Sequence, residues 1–231
     1  MSTTLRICAP LFETLKRYHL DKEQPVERLS YVFGRRVHAG ERAILLIPDQ
    51  APVLFAPDCF VHQSGGHVSL DPAILNGMLV ELAASDWDVI VNVHDHWFSR
   101  AGTRFSAVDD ADDRAFGHYL RERFEPMLAR HPEIGAARRV TLAALVLDQT
   151  SLDARILSPE SEARFQTIDT VQVVGEHFQE IAPNGRHADE CTLDEPDDVQ
   201  SRHADFISLE TRRTLARTRI ALVGCGGLGS I

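Results

Sequence analysis

Four residues in one short stretch carry the clearest chemistry: His94, His96, Ser106 and Asp109. Residues 87–93 are mostly apolar (Trp87, Val89, Ile90, Val91, Val93) and read as a buried strand ending at the histidines. Residues i and i+2 of a strand point to one face, so His94 and His96 aim two imidazoles at one point. Asp109, at the start of the helix that follows, can close on that point. Two nitrogens and one carboxylate oxygen, with a fourth position open, form the ligand set of a catalytic zinc site. Such a site also needs a base near the metal but not bound to it, and a donor for the developing oxyanion. Glu27, just ahead of a strand-like segment, is the candidate base, and Ser106 is the candidate donor. Ser106-Ala107-Val108-Asp109 also reads as a helix cap, with Ser106 as N-cap and Asp109 reaching back to its backbone N–H. Spacing leaves both readings open.

The elements that must position these groups follow from periodicity. Apolar residues 5–9 lead into a helix over 10–19, with Pro10 at its first position and Leu11, Leu15 and Tyr18 on its apolar face. Strands are expected over 29–37 and 43–47, separated by the turn signal His38-Ala39-Gly40, with mixed strand and loop over 51–69. Asp71 followed by Pro72 predicts an N-cap and a helix through residue 84. A further helix is expected from about 108 to 130, its first turn holding Asp109, Asp110, Asp112 and Asp113 at the positive end of the helix dipole. Strands at 140–147 and 167–174 complete an α/β or α+β sandwich around one sheet.

Composition bounds the function. The net charge is −10, from 24 basic and 34 acidic residues, and no Lys/Arg cluster outweighs the acids. This argues against nonspecific binding to nucleic acid or to an anionic membrane. The cysteines Cys8, Cys59, Cys191 and Cys225 form no CxxC pair and read as reduced thiols. With no apolar signal region and no run long enough to span a bilayer, a soluble cytoplasmic protein is expected.

Glu27 with Gly34, then His94-Asp95-His96, Ser106 and Asp109, resembles the JAB/MPN+ (JAMM) zinc metalloprotease motif. The resemblance covers about residues 5–180, and its specific part is those few positions. It implies a cytidine-deaminase-like α/β/α sandwich with a mixed sheet. It further implies Zn2+ held by His94, His96 and Asp109, Glu27 as base and Ser106 as oxyanion partner. The implied reaction is hydrolysis of a peptide or isopeptide bond after a ubiquitin-like tail. The gap between His96 and Ser106 is about two residues longer than in the family's commoner form, and residues 99–103 form a loop able to absorb them. His62 and His67 read as surface or loop histidines.

A domain over 1–182 is therefore expected, then an acidic linker over 183–199 with six acidic residues. Residues 219–223 read as a strand leading into Gly224-Cys225-Gly226-Gly227-Leu228-Gly229-Ser230. Gly224, Gly226, Gly227 and Gly229 allow a tight turn and close backbone approach to phosphate. This resembles the first nucleotide-binding turn of the ThiF family, which adenylates ubiquitin-like and sulfur-carrier proteins with ATP and Mg2+. Residues 200–231 then read as the first strand of a truncated Rossmann-like domain, with adenylation expected only of a full-length fusion. A peptidase for such tails beside an activator of them is chemically coherent, and conjugation-pathway proteins are the expected partners. A non-catalytic MPN-type scaffold is the competing reading.

Overall fold

The computed structural model describes residues 2–20, 26–64, 67–96, 103–157 and 164–183. Loop residues 97–102, the expected linker beyond Pro183, and the turn at Gly224, Gly226, Gly227 and Gly229 lie outside the described residues. The described chain runs β1 (Ser2–Cys8), α1 (Ala9–Leu20), β2 (Leu29–Ala39), β3 (Arg42–Ile47), β4 (Val53–Leu54), β5 (Phe60–Gln63) and β6 (Val68–Leu70). It continues with α2 (Pro72–Ala84), β7 (Val89–Asp95) and α3 (Ala107–Tyr119), then a π-helical turn, Leu120–Phe124, and α4 (Glu125–Arg130). The last strands are β8 (Thr141–Leu147), β9 (Leu152–Leu157), β10 (Phe165–Thr167), β11 (Thr170–Val174) and β12 (Phe178–Ile181).

One mixed sheet has the order β10-β9-β8-β7-β2-β3-β1-β11-β12, with β4 also paired to β2, and β5–β6 form a separate hairpin. The fold is α/β. Alternation along β7 builds a core on each side of the sheet. Val89, Val91 and Val93 pack in one cluster with Leu11 and Leu15 of α1. Ile90 packs in the other with Leu79 and Leu82 of α2 and with Leu120 and Leu128. Strands buried on both faces lose the polar alternation of a half-exposed strand, and β8 is buried at every position.

Three local features set the scaffold of the site. First, β2 changes partners: Leu29–Gly34 pair antiparallel with β7, and Arg35–Ala39 pair with β3. A Cβ on Gly34 would run into the Leu46 carbonyl oxygen and the Ile47 side chain, so only glycine fits this close approach. Second, Asp71 accepts a hydrogen bond from the Ala73 N–H at 2.7 Å, with Pro72 at the first turn, which starts α2 where the sequence places it. Third, the helix expected over 108–130 is interrupted. The Glu125 N–H bonds to the Leu120 carbonyl five residues back, and Pro126 follows with no N–H to donate. A proline inside a helix removes one bond and crowds the preceding turn, and the wider π turn relieves that. Among the described residues, no helix is long and apolar enough to cross a membrane.

Candidate metal centre

β7 extends to Asp95, two residues past the expected end, so His94 lies in the strand and His96 just beyond it. His94 shares a strand face with Asn92 and Ile90, toward the side covered by α2 and α3. Asp109 sits in the first turn of α3. The ligand atoms of His94, His96 and Asp109 all lie within 4.8 Å of one another. His94 Nε2 is 3.4 Å from Asp109 Oδ1, and His96 Nε2 is 3.4 Å from Asp109 Oδ2.

These separations discriminate between two arrangements. A charge-assisted N–H···O bond is shorter, about 2.7–2.9 Å. Ligands at about 2.0–2.1 Å from a tetrahedral zinc stand about 3.3 Å apart. The two His–Asp109 separations are longer than a charge-assisted hydrogen bond and compatible with atoms that share an ion. His94 is 4% exposed, and its Nε2 is buried with no hydrogen-bond partner. An orphaned imidazole nitrogen aimed at a carboxylate and a second imidazole is the donor set zinc takes, so the residues fit the metal.

The backbone of Glu27 is clamped from both sides. Its N–H donates to the Ser64 carbonyl and its carbonyl accepts from Gln63 Nε2, each at 2.8 Å. Glu27 is 5% exposed, and its carboxylate approaches His96 Nε2 at 3.9 Å, beside the three-residue cluster and outside it. Burial raises the Glu27 pKa, and the neighbouring imidazoles of His94 and His96 pull it down only in part. For Asp109 burial acts the same way, but the imidazoles of His94 and His96 and the Ser106 N–H outweigh it and hold its carboxyl well below the usual range. Burial lowers the His96 pKa, and Asp109 and then Glu27 overcome that and leave it raised.

Ser106 is the N-cap of α3. Its Oγ accepts from the Asp109 N–H at 3.2 Å, while its own N–H donates to Asp109 Oδ2 at 2.5 Å. The capping and ligand readings of Asp109 therefore coexist: the cap orients the carboxylate that faces the histidines. Ser106 itself is exposed and is not among the clustered ligand atoms.

A cavity of about 350 Å³ opens beside the cluster, bordered by Glu27, His94 and Asp109, with Tyr31, Leu70 and Phe116 among its apolar lining. His67 also lines it and lies 3.4 Å from Asp112, so this loop histidine stands close to the candidate centre.

One group of residues had no signal in the sequence. Asp95, between the two histidines, points to the opposite face of β7 and is fully buried. Its Oδ1 meets His19 Nδ1 at 3.2 Å and accepts the Arg28 N–H at 2.9 Å, and His19 Nε2 meets Ser30 Oγ at 2.8 Å. His19 and Ser30 are buried completely. This network ties α1, the start of β2 and the end of β7 directly behind the candidate ligands.

No protein-family model matches the chain, and no curated protein matches it. Among solved structures, it is similar to the solution structure of protein DSY2949 from Desulfitobacterium hafniense. The two are 16% identical with a TM-score of 0.42, over 75% of this chain and 96% of that one, a likeness too slight to carry an argument.

Proposed function

We propose that this chain is a zinc-dependent hydrolase of the JAB/MPN+ (JAMM) type, cutting a peptide or isopeptide bond after the tail of a ubiquitin-like protein. The observation that carries the reading is the gathering of His94, His96 and Asp109 within 4.8 Å, with Glu27 at 3.9 Å from His96. Glu27 is far from these residues in sequence, and a merely structural carboxylate has no need to be buried beside them.

Zinc bound by His94, His96 and Asp109 supplies a Lewis acid that acidifies water and polarises a carbonyl. The residues then divide the work. Glu27, with its pKa raised by burial, takes a proton from the attacking water and returns it to the leaving amine. Ser106 uses its oxygen to accept from the Asp109 N–H, which leaves its hydroxyl hydrogen for the developing oxyanion. The cavity lined by Tyr31, Leu70 and Phe116 receives substrate beside the reacting bond.

The test is cleavage of ubiquitin-like proteins carrying C-terminal extensions, by wild type and Glu27→Gln, with zinc content measured in both. One zinc per chain in both proteins, and cleavage reduced about 10²–10⁴-fold by Glu27→Gln, is expected. Equal cleavage by the two proteins removes Glu27 as the base. Zinc binding with no cleavage of any fusion favours the scaffold reading.

A further inference from the structure

A second cavity, of about 340 Å³, lies where the π-helical turn meets the start of β8 and the end of β9, and it shares no lining residue with the first. Three arginines line it: Arg36 from β2, Arg121 from the π turn and Arg139 ahead of β8. We infer that this cavity binds a small organic oxyanion, a phosphate or carboxylate carried on an apolar body.

Charge comes first. The whole chain carries −10, so three arginines around one small volume are a local exception. Like charges gathered in a partly desolvated space repel, and an anion bound among them lowers that cost. Among the described residues lining the cavity, Glu125 alone carries a carboxylate, one negative group beside three arginines, and its Oε1 accepts the Val140 N–H at 2.7 Å. Hydrogen bonding points the same way. Arg36 Nε is buried with no hydrogen-bond partner, and a buried donor left unpaired marks the place of an acceptor. Guanidinium groups hold phosphate and carboxylate through paired, planar N–H···O contacts, which a point-charged ammonium does not offer.

The rest of the lining sets the body of the ligand. Leu120 and Leu142 give the cavity apolar walls, so a bare inorganic ion leaves that surface unused. The volume is at the lower end of small-molecule sites, roughly 300–1,000 Å³. One aromatic ring or a short alkyl chain bearing one oxyanion fits. The π turn is part of the design, because it carries Arg121, and such turns recur at functional sites.

Calorimetric titration of the full chain with phenyl phosphate, benzoate and neutral phenol, at fixed ionic strength, tests the assignment. Saturable binding of phenyl phosphate or benzoate is expected, at least ten times tighter than phenol, and whichever anion binds better identifies the head group. Arg36→Gln/Arg139→Gln should weaken that binding at least tenfold while leaving zinc content and the unfolding temperature unchanged. Arg139 is exposed, so Arg139→Gln alone is a second variant that keeps the fold, with an expected loss of about threefold or more. Absence of saturable binding, affinity no better than phenol, or binding that survives both substitutions overturns the proposal.

Discussion

Replacing Arg155 by methionine should destabilise the protein strongly, and in a pH-dependent way. Arg155 lies in β9 and is 7% exposed. Its Nη2 donates to Asp113 Oδ2 at 2.7 Å, its Nε to the same oxygen at 3.3 Å, and its Nη1 to Asp110. The guanidinium also sits 3.7 Å from the Phe105 ring centroid and 3.8 Å from that of Phe165. Asp113 is 2% exposed, and burial raises its pKa more than Arg155, His94 and Asn92 together pull it down. Methionine restores the volume but leaves the Asp113 carboxylate with Asn92 Nδ2, at 3.0 Å, as its remaining side-chain donor among the described residues. Breaking a buried pair in this way costs about 3–5 kcal/mol. In a domain of this size each kcal/mol moves the midpoint by about 2–4 °C, so a fall of roughly 10 °C is expected.

The pH dependence follows from linkage. Without Arg155 the folded-state pKa of Asp113 rises further above its unfolded value, so the folded variant binds a proton more readily than the unfolded chain. The deficit is therefore largest above that raised value and shrinks as pH falls through it. Urea unfolding at pH 7.5 and pH 5 measures both. Arg155→Met/Asp113→Asn removes both charges and should recover most of the loss, a coupling of about 2 kcal/mol or more. Because Asp113 lies one turn along α3 from Asp109, zinc affinity should fall in the single variant and return in the double. A single variant within about 1 kcal/mol of wild type, or a deficit that does not change with pH, refutes the reasoning.

Other outcomes follow from the same geometry. On the proposed metal reading, His94→Ala and Asp109→Ala should each abolish zinc binding, measured as metal per chain after dialysis. Ser106→Ala should cost about 1 kcal/mol by urea unfolding, the usual loss for an N-cap, and should weaken zinc severalfold in a chelator competition by loosening Asp109. Gly34→Ala should cost about 1–3 kcal/mol or more, since the obstructing atoms include backbone of β3; a variant as stable as wild type would contradict that close approach. The raised pKa of Glu27 makes the metal-free folded protein hold that proton more strongly than the unfolded chain does. Metal-free wild type should therefore lose stability relative to Glu27→Gln as pH rises from the ordinary Glu value of 4.5, checked by thermal unfolding in chelator.

The parts of the site legible in the sequence are those that depend on local periods. The i, i+2 spacing of His94 and His96 and the Asp71-Pro72 helix start needed no distant partner to be read. β9 carries no such local signal, because Asp153 and Arg155 look like solvent-facing charges, whereas Arg155 is buried against Asp110 and Asp113 of α3, more than forty residues earlier. The approach of Glu27 to the histidines is of this second kind, since it depends on strand register. In the antiparallel β2–β7 pair, Leu29 stands opposite His94. Carrying that register two residues back from Leu29 and two forward from His94 sets Glu27 opposite His96, where its carboxylate is found. A slip of one residue would turn every side chain of β2 to the other face. The buried network behind the site opposes such a slip, because Asp95 accepts the Arg28 N–H while its partner His19 meets Ser30 on the same strand. One strand period thus does two jobs. It turns His94 and His96 toward the candidate metal, and it turns the residue between them toward the anchors that fix where Glu27 must lie.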